Sequence, residues 1–371
     1  MLSVAQAGQI DGKRTWKVAS TDPGTAEDAA QPVCFTAEPV EGQPAPQQKI
    51  LRLLTSTGKD APGVLHQATA YASPEEAAQA YAVASKTLGS CTVTGSYLVQ
   101  GQSVTGLGDQ AVGVVAASVT NGKSQRHTVM LNRTGRVMNI VDAVQPSEAI
   151  KPSAVANALA AVTTTQCATA GGACPTKPST KDGPPPLCGD EPGFLAYGDL
   201  PPAGKTPAAW GATPTELPKA DFKGSNCETV NWSTLSTEST TSRTYILEDA
   251  SSSFFGLNNI VVTMNDEATA KKLVDKIKDD LDDCNKRKLT AKVTDPKKVS
   301  GIGAKQSEVS GYTAEVSQKS VDGTKKYRVG IVSAGTKVAY TFLNPQDVFD
   351  FTPAQWDVVA VRAGERTTQV N

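Results

Sequence analysis

Two histidines, His66 and His127, are the first candidates for general-base chemistry in this 371-residue chain. Nucleophilic catalysis by serine or cysteine needs such a base within hydrogen-bond reach. Both histidines stand in runs that predict strands, and no Gly-x-Ser-x-Gly elbow lies near either of them. We therefore interpret both as ordinary strand residues, predict no catalytic residue and expect a protein that is not an enzyme.

Motifs for phosphate and metal binding are incomplete in this sequence. Gly122–Ser124 and Gly204–Thr206 resemble the end of a phosphate-binding loop, but Ala117 and Asp199 stand where that loop needs its first glycine. The acidic stretch 279–283 lacks the EF-hand spacing, and no cysteines have the close spacing of a zinc site. We predict neither a cofactor nor a metal.

A short basic run is the one candidate binding site that the sequence offers. Its residues are Lys286, Arg287, Lys288, Lys297 and Lys298. Such a run favours an anionic ligand, although a solvated hairpin is the simpler explanation. The whole chain has 36 basic and 37 acidic residues, a net charge of −1, so no global field steers it to nucleic acid or to an anionic membrane.

The cysteine spacing reveals an internal duplication. Cys34 and Cys91 are 57 positions apart, as are Cys227 and Cys284, and a shift of 193 positions superimposes both pairs. The same shift aligns the apolar stripes of two amphipathic helices. These stripes are Ala77, Ala80, Tyr81, Ala84 and Leu88 in one copy, and Ala270, Leu273, Val274, Ile277 and Leu281 in the other.

Each repeat continues in a β-rich pattern after its helix. Asn121-Gly122 and Asp322-Gly323 are hairpin signals, because both residues tolerate the positive φ of a tight turn. A three-stranded meander and a final helix, Pro152–Val162 or Pro353–Val361, follow in each copy, and two strands precede the first helix. These elements predict an α+β fold of two homologous domains, each a mainly antiparallel sheet of five or more strands with two main helices packed on one side.

A segment rich in Gly, Pro, Ser and Thr separates the repeats. We predict a first domain over residues 1–167, a linker over 168–187 and a second domain over 188–371. Two domains is also the number that the chain length favours.

Seven cysteines indicate an oxidising compartment. We predict the disulfides Cys34–Cys91 and Cys227–Cys284, each of which stabilises its domain by about 4 kcal/mol in the chain-entropy model. Three further cysteines lie beside the linker: Cys167, Cys174 and Cys188. We favour a Cys174–Cys188 disulfide, which leaves one of the seven cysteines without a predicted partner.

No stretch of the sequence is apolar and long enough to span a membrane, and no segment near Met1 is typical of a signal peptide. We expect an extracytoplasmic protein, secreted or anchored to the outer face of the cytoplasmic membrane. Contact with that membrane would come only through an anchor upstream of Met1.

The pattern from Ser73 to Cys91, followed by Gly106–Asp109 (GLGD) and a β-meander, resembles the extracellular sensor domains of PknH-type receptor kinases and related actinobacterial cell-envelope lipoproteins. Both repeats show it. They depart from the family in having Leu88 and Leu281 before the cysteines, where Trp is frequent, and the second repeat lacks the family's C-terminal disulfide. The resemblance implies a non-catalytic, sensor-like ectodomain with a cleft for an envelope ligand.

Three hypotheses follow for the function. The first is a sensor-like envelope protein that binds a ligand or partner, which would be a glycan, a lipid or a protein. The second is a structural envelope scaffold or protein-interaction lipoprotein. The third is a hydrolase that uses two carboxylates, but nothing selects two of the 37 acidic residues.

Overall fold

The computed structural model describes residues 1–24, 29–38, 40–120, 122–146, 148–188, 191–204, 207–248, 255–294, 296–321, 323–346 and 348–370. The chain divides into two units, residues 1–189 and 190–371. Asn121 and Asp322 of the predicted turns, and Lys205 and Thr206 of the second phosphate-loop-like motif, lie outside the described residues. No helix within the described residues is both long and apolar enough to cross a membrane.

The first unit is built on one antiparallel sheet of eight strands. Its strands are β1 (Trp16–Pro23), β2 (Gln48–Ser56), β3 (Gly63–Ala70), β4 (Ser96–Thr105), β5 (Gln110–Thr120), β6 (Lys123–Thr134), β7 (Val137–Gln145) and β8 (Ser179–Gly183). Its helices are α1 (Val4–Ile10), α2 (Pro74–Ser90) and α3 (Pro152–Ala170). The strand order across the sheet is β1-β2-β3-β7-β6-β5-β4-β8.

The second unit repeats this architecture. Its strands are β9 (Trp210–Ala212), β10 (Ser239–Leu247), β11 (Gly256–Thr263), β12 (Ala291–Val293), β13 (Lys297–Ile302), β14 (Glu308–Ser320), β15 (Gly323–Ala334) and β16 (Lys337–Leu343). Its helices are α4 (Glu267–Asp282), α5 (Cys284–Arg287) and α6 (Pro353–Thr367). The order is β12-β14-β15-β16-β11-β10-β9, and β13 also pairs with β14. The predicted α+β fold with two antiparallel sheets is confirmed.

The two main helices of each unit cover opposite faces of the sheet. In the first unit, Val129 and Leu131 of β6 belong to the core beneath α2, whereas Met130 between them belongs to the core beneath α3. In the second unit, Ile331 packs under α4 and Val332 under α6. The prediction that both helices pack on one side is therefore wrong. Successive apolar residues in a central strand bury both of its faces, as side-chain alternation requires.

The duplication extends to the amino-terminal segment of each unit. The Arg52 guanidinium donates a hydrogen bond to the carbonyl of Leu2 (3.0 Å). Tyr245, 193 positions later, donates its hydroxyl hydrogen to the carbonyl of Leu195 (2.7 Å). Two different side chains thus make the same contact in the two repeats.

Part of the segment 168–187, predicted as a linker, has regular secondary structure. Helix α3 continues to Ala170, and β8 pairs with β4 at the edge of the first sheet. The helix was predicted to end at Val162. Its longer course satisfies the hydroxyls of Thr163 and Thr164, which donate to the carbonyls of Leu159 and Ala160 (both 2.9 Å).

Three disulfides form within the described residues. The predicted bonds Cys34–Cys91 and Cys227–Cys284 are confirmed. The predicted bond between Cys174 and Cys188 is wrong, because Cys174 pairs with Cys167 instead. Cys167 lies in the last turn of α3, and the left-handed Gly171 (φ 73°) turns the chain back towards it.

A buried ion cluster ties α6 to the start of the second unit. Asp199 accepts hydrogen bonds from Arg362 and Arg366 (both 2.8 Å), and Glu365 accepts one from Arg362 (2.8 Å). Burial alone would raise the pKa of Asp199, but the guanidinium groups of Arg366 and Arg362 outweigh it and hold that pKa below its ordinary value. The carboxylate is therefore charged at neutral pH and balances two buried cations.

Asp199→Asn is expected to destabilise the second unit by about 3–5 kcal/mol, because it leaves two buried guanidinium groups short of a counter-charge. Urea unfolding followed by tryptophan fluorescence measures the loss. Glu267→Gln, which removes an exposed partner of Lys271, is the control and should change the midpoint little. Equal effects of the two substitutions would contradict the role given to Asp199.

Candidate functional site

A cavity of about 770 Å³ lies in the first unit, between the α2 face of the sheet and a segment without regular secondary structure. We call this segment, residues 31–38 and 40–47, the roof. A volume of this size is within the range of small-molecule sites.

The floor of the cavity consists of side chains from regular elements. Gln67 and Thr69 of β3 and Met138 and Ile140 of β7 line it, together with Ala84 of α2. These strand positions share a face because side chains alternate along a strand and β3 pairs directly with β7. The floor is therefore fixed by the sheet.

The roof is fastened at several points. The disulfide from Cys34 to Cys91 joins it to the end of α2. The side-chain amide of Gln79 on α2 donates to the carbonyl of Gly42 (2.9 Å), and the backbone N–H of Gln47 donates to a carbonyl at the end of β3 (2.9 Å). The segment is thus anchored over the cavity although it lacks helices and strands.

Two residues that line the cavity, Tyr71 and Gln31, each have a buried polar atom without a hydrogen-bond partner of normal geometry in the described part of the chain. These atoms are the Tyr71 hydroxyl and the amide oxygen Oε1 of Gln31. Tyr71 is fully buried, and burial raises the pKa of its hydroxyl against the smaller, opposing hydrogen-bond contribution of the Gln43 side chain. Each such atom destabilises a folded protein by about 1–3 kcal/mol unless a partner is supplied.

The second unit fills the equivalent space with side chains. Trp232 and Tyr340 are fully buried there, and their ring centroids lie 4.5 Å apart. Tyr340 stands at the position of Ile140 in β7, and Trp232 belongs to the segment that corresponds to the roof. The cavity is therefore specific to the first repeat and does not follow from the fold alone.

A chain of hydrogen bonds joins a serine, a histidine and an aspartate on neighbouring strands of the first sheet. Ser118 Oγ lies 2.9 Å from His127 Nε2, and His127 Nδ1 lies 2.9 Å from Asp142 Oδ1. The other carboxylate oxygen of Asp142 accepts the backbone N–H of Val33 in the roof (2.8 Å). The order of contacts is that of a nucleophile, a base and an orienting acid.

The surroundings of Ser118 do not complete a catalytic site. The backbone of Ser118 lies in the ladder between β4 and β6, and the next amide, that of Val119, donates to the carbonyl of Gly95 (2.9 Å). These backbone groups are therefore unable to serve as the oxyanion hole that acyl transfer needs. At the His127 and Asp142 positions the second unit has Tyr327 and Phe342, whose rings stack.

We therefore assign the hydrogen-bond chain an anchoring role: it attaches the roof to the sheet. Sequence reasoning recognised His127 as a strand residue but missed its partner. The available signal was Asp142, a charged residue in the middle of an apolar strand, which requires a buried partner.

His66 lies on the opposite face of the sheet from the cavity. Its Nδ1 accepts the backbone N–H of Leu2 (2.9 Å), so its Nε2 carries the proton and donates to Asn139 (3.2 Å). Asn139 in turn donates to Gln166 of α3 (2.9 Å). Burial lowers the pKa of His66 to about 3, so the ring is neutral at pH 7.

The basic run of the second unit is partly used in internal contacts. Lys286 pairs with Asp283 (2.6 Å), Lys297 pairs with Asp357, and Arg287 donates to the carbonyl of Cys227 (2.9 Å). The remaining members are exposed: Lys288 directly follows α5, and Lys298 lies on β13. Within the described residues, no group of three or more His, Cys, Asp or Glu side chains is placed to hold a metal ion.

A fluorophosphonate probe is expected to leave Ser118 unmodified, because the serine lacks an oxyanion hole. Intact-mass spectrometry measures labelling, with a known serine hydrolase as the positive control. An adduct that forms on the wild type and is absent from Ser118→Ala would contradict the anchoring role.

The first unit is expected to lose stability as the pH falls from about 6.5 towards 3, because the unfolded chain then binds a proton at His66 that the folded chain excludes. The loss between pH 7 and pH 4.5 should be about 2–3 kcal/mol. Hydrogen exchange of the β3 and β7 amides at the two pH values measures it.

His66→Asn is the matched control for this titration, because the second repeat has Asn259 at the equivalent position. The variant has no titrating group there and should lose less stability over the same pH range. An equal loss in the two proteins would exclude His66 as the cause.

Comparison with protein-family models, with curated proteins and with solved structures finds no match to this chain.

Proposed function

We propose that this protein is an extracytoplasmic, non-catalytic binding protein whose first unit holds a small molecule in the cavity beneath the roof. The observation that carries the proposal is that Tyr71 and Gln31, which line a cavity of 770 Å³, each have a buried polar atom without a hydrogen-bond partner of normal geometry among the described residues. A ligand that hydrogen-bonds to both would relieve their desolvation, which gives the cavity a specific recognition element.

The comparison between the repeats supports this proposal. The second unit fills the equivalent space with the side chains of Trp232 and Tyr340. The first unit instead fastens a roof over open volume with a disulfide and the Asp142 contact. The second unit would then serve as a structural or partner-binding domain, the scaffold role among the hypotheses.

The proposed compartment is supported by the three disulfides, which persist in oxidising surroundings and are rare in the cytosol. A carboxylate-based hydrolase is less favoured, because the described lining of the cavity has a single carboxylate, Glu38.

Ligand-observed NMR with a library of small neutral fragments tests the binding function. The wild-type chain is expected to give a set of hits that disappear in the double variant Ala84→Ile/Ile140→Tyr. Both substitutions introduce the residues of the second repeat, Ile277 and Tyr340, and fill the cavity from its floor.

Val18→Tyr enlarges a side chain on an exposed part of β1 and is the control, so the hits should persist in it. An absence of hits on the wild type, or hits that persist in the filled variant, would overturn the proposed function.

A further inference from the structure

We propose that the ligand of this cavity is a neutral saccharide. This inference rests on the binding function proposed above and adds the chemical class of the ligand. Three features of the cavity carry it: its hydrogen-bonding atoms, its few charges and its apolar floor.

The unpartnered atoms define what the ligand must offer. Oε1 of Gln31 is only an acceptor, since the amide nitrogen of the same side chain already donates to the carbonyl of Ala29 (2.9 Å). A partner for it must therefore be a hydrogen-bond donor, which a carboxylate or a phosphate is not. The hydroxyl of Tyr71 both donates and accepts. A ligand hydroxyl satisfies both atoms.

The cavity has little charge to recognise an ion. Lys49 and Glu38 are the charged side chains of its described lining. Glu38 is exposed, and the aliphatic stem of Lys49 packs against Gly24, where a Cβ would lie 2.3 Å from its Cγ. The polar lining consists instead of glutamine amides and threonine and tyrosine hydroxyls, which both donate and accept, as sugar hydroxyls do.

The rest of the lining suits the C–H faces of sugar rings. Met138, Ile140 and Ala84 form an apolar floor, and Phe35 adds an aromatic ring from the roof. An amphipathic ligand with hydroxyls at its edge and C–H groups on its faces matches this division. A volume of 770 Å³ admits an oligosaccharide of two or three rings.

The repeats differ at the positions that make the cavity polar. Gln67, Thr69 and Tyr71 follow one another along the cavity side of β3 and its end. The second repeat has Ile260, Val262 and Met264 at these positions, all buried in its core. The chain therefore contains its own apolar counterpart of the site.

The test uses the whole 371-residue chain and three kinds of probe: neutral trisaccharides (maltotriose, cellotriose and chitotriose), the acidic trisaccharide trigalacturonate, and the apolar alcohol dodecanol. Saturation-transfer NMR and titration calorimetry should detect binding of at least one neutral trisaccharide to the wild type. Trigalacturonate and dodecanol should bind at least tenfold more weakly.

Two variants connect such binding to the named atoms. Gln67→Ile/Thr69→Val/Tyr71→Met introduces the second repeat's residues and should weaken the affinity for the neutral trisaccharide at least tenfold. Tyr71→Phe removes only the buried hydroxyl and should weaken it about five- to tenfold. The thermal midpoint of this variant without ligand should stay the same or rise, because the removed hydroxyl has no hydrogen-bond partner of normal geometry among the described residues.

The outcomes separate the two proposals. If neutral fragments bind the cavity but no neutral trisaccharide does, or if trigalacturonate or dodecanol binds more tightly, the saccharide class is wrong and the binding function stands. If Tyr71→Phe keeps full saccharide affinity, the assigned recognition atom is wrong and the inference falls. If the filled variant Ala84→Ile/Ile140→Tyr binds saccharide as the wild type does, both proposals fall.

Discussion

The covalent bond between Cys34 and Cys91 is the constraint on which the first unit depends. The roof contains no helix or strand of its own, so it has few backbone hydrogen bonds with which to hold a position over the sheet. Closing a loop of 57 residues removes conformational freedom from the unfolded chain and places the roof beside the end of α2. Two hydrogen bonds, from Val33 N–H to Asp142 and from the Gln79 side chain to the carbonyl of Gly42, then hold the roof at its distance from the floor of the cavity.

The opposite face of each sheet serves a different purpose. Helix α3 meets a network of neutral polar side chains that includes His66 and Gln166, and α6 meets the ionic cluster of Asp199 and Arg366. Gln166 and Arg366 occupy the same position in the two repeats, 200 residues apart. In both repeats these contacts attach the amino-terminal segment of the unit to the face of the sheet that packs against its last main helix.

The sequence predicted well those features that depend on local chemistry. The apolar stripes of α2 and α4 and the two 57-residue disulfides follow directly from periodicity and spacing. Features that depend on long-range partners were missed. Charged residues such as Arg362 near the end of a helix suggest that this end is exposed to solvent. Their burial is explained only by contact with Asp199, 163 positions earlier in the chain.

The cavity was missed for a related reason. A Pro- and Gln-rich stretch predicts a loop, and nothing in such a stretch indicates that the chain returns to cover a sheet. The repeats did contain a usable signal, because Gln67 and Thr69 align with Ile260 and Val262. A polar residue where the sister copy is apolar points to a buried position with a special role. The register across β3 and β7 was needed to show that these positions share one face.

The unpartnered hydroxyl of Tyr71 has a consequence for how the two repeats diverge. An unsatisfied buried group lowers stability by about 1–3 kcal/mol, and Met264 shows that an apolar side chain is accommodated at the equivalent position. Random substitution would therefore tend to carry the first repeat towards the packed state of the second, and each such step would stabilise the fold. Retention of the tyrosine would then require selection for function. The two repeats would thus differ in the balance between stability and function, with the packed repeat on the side of stability.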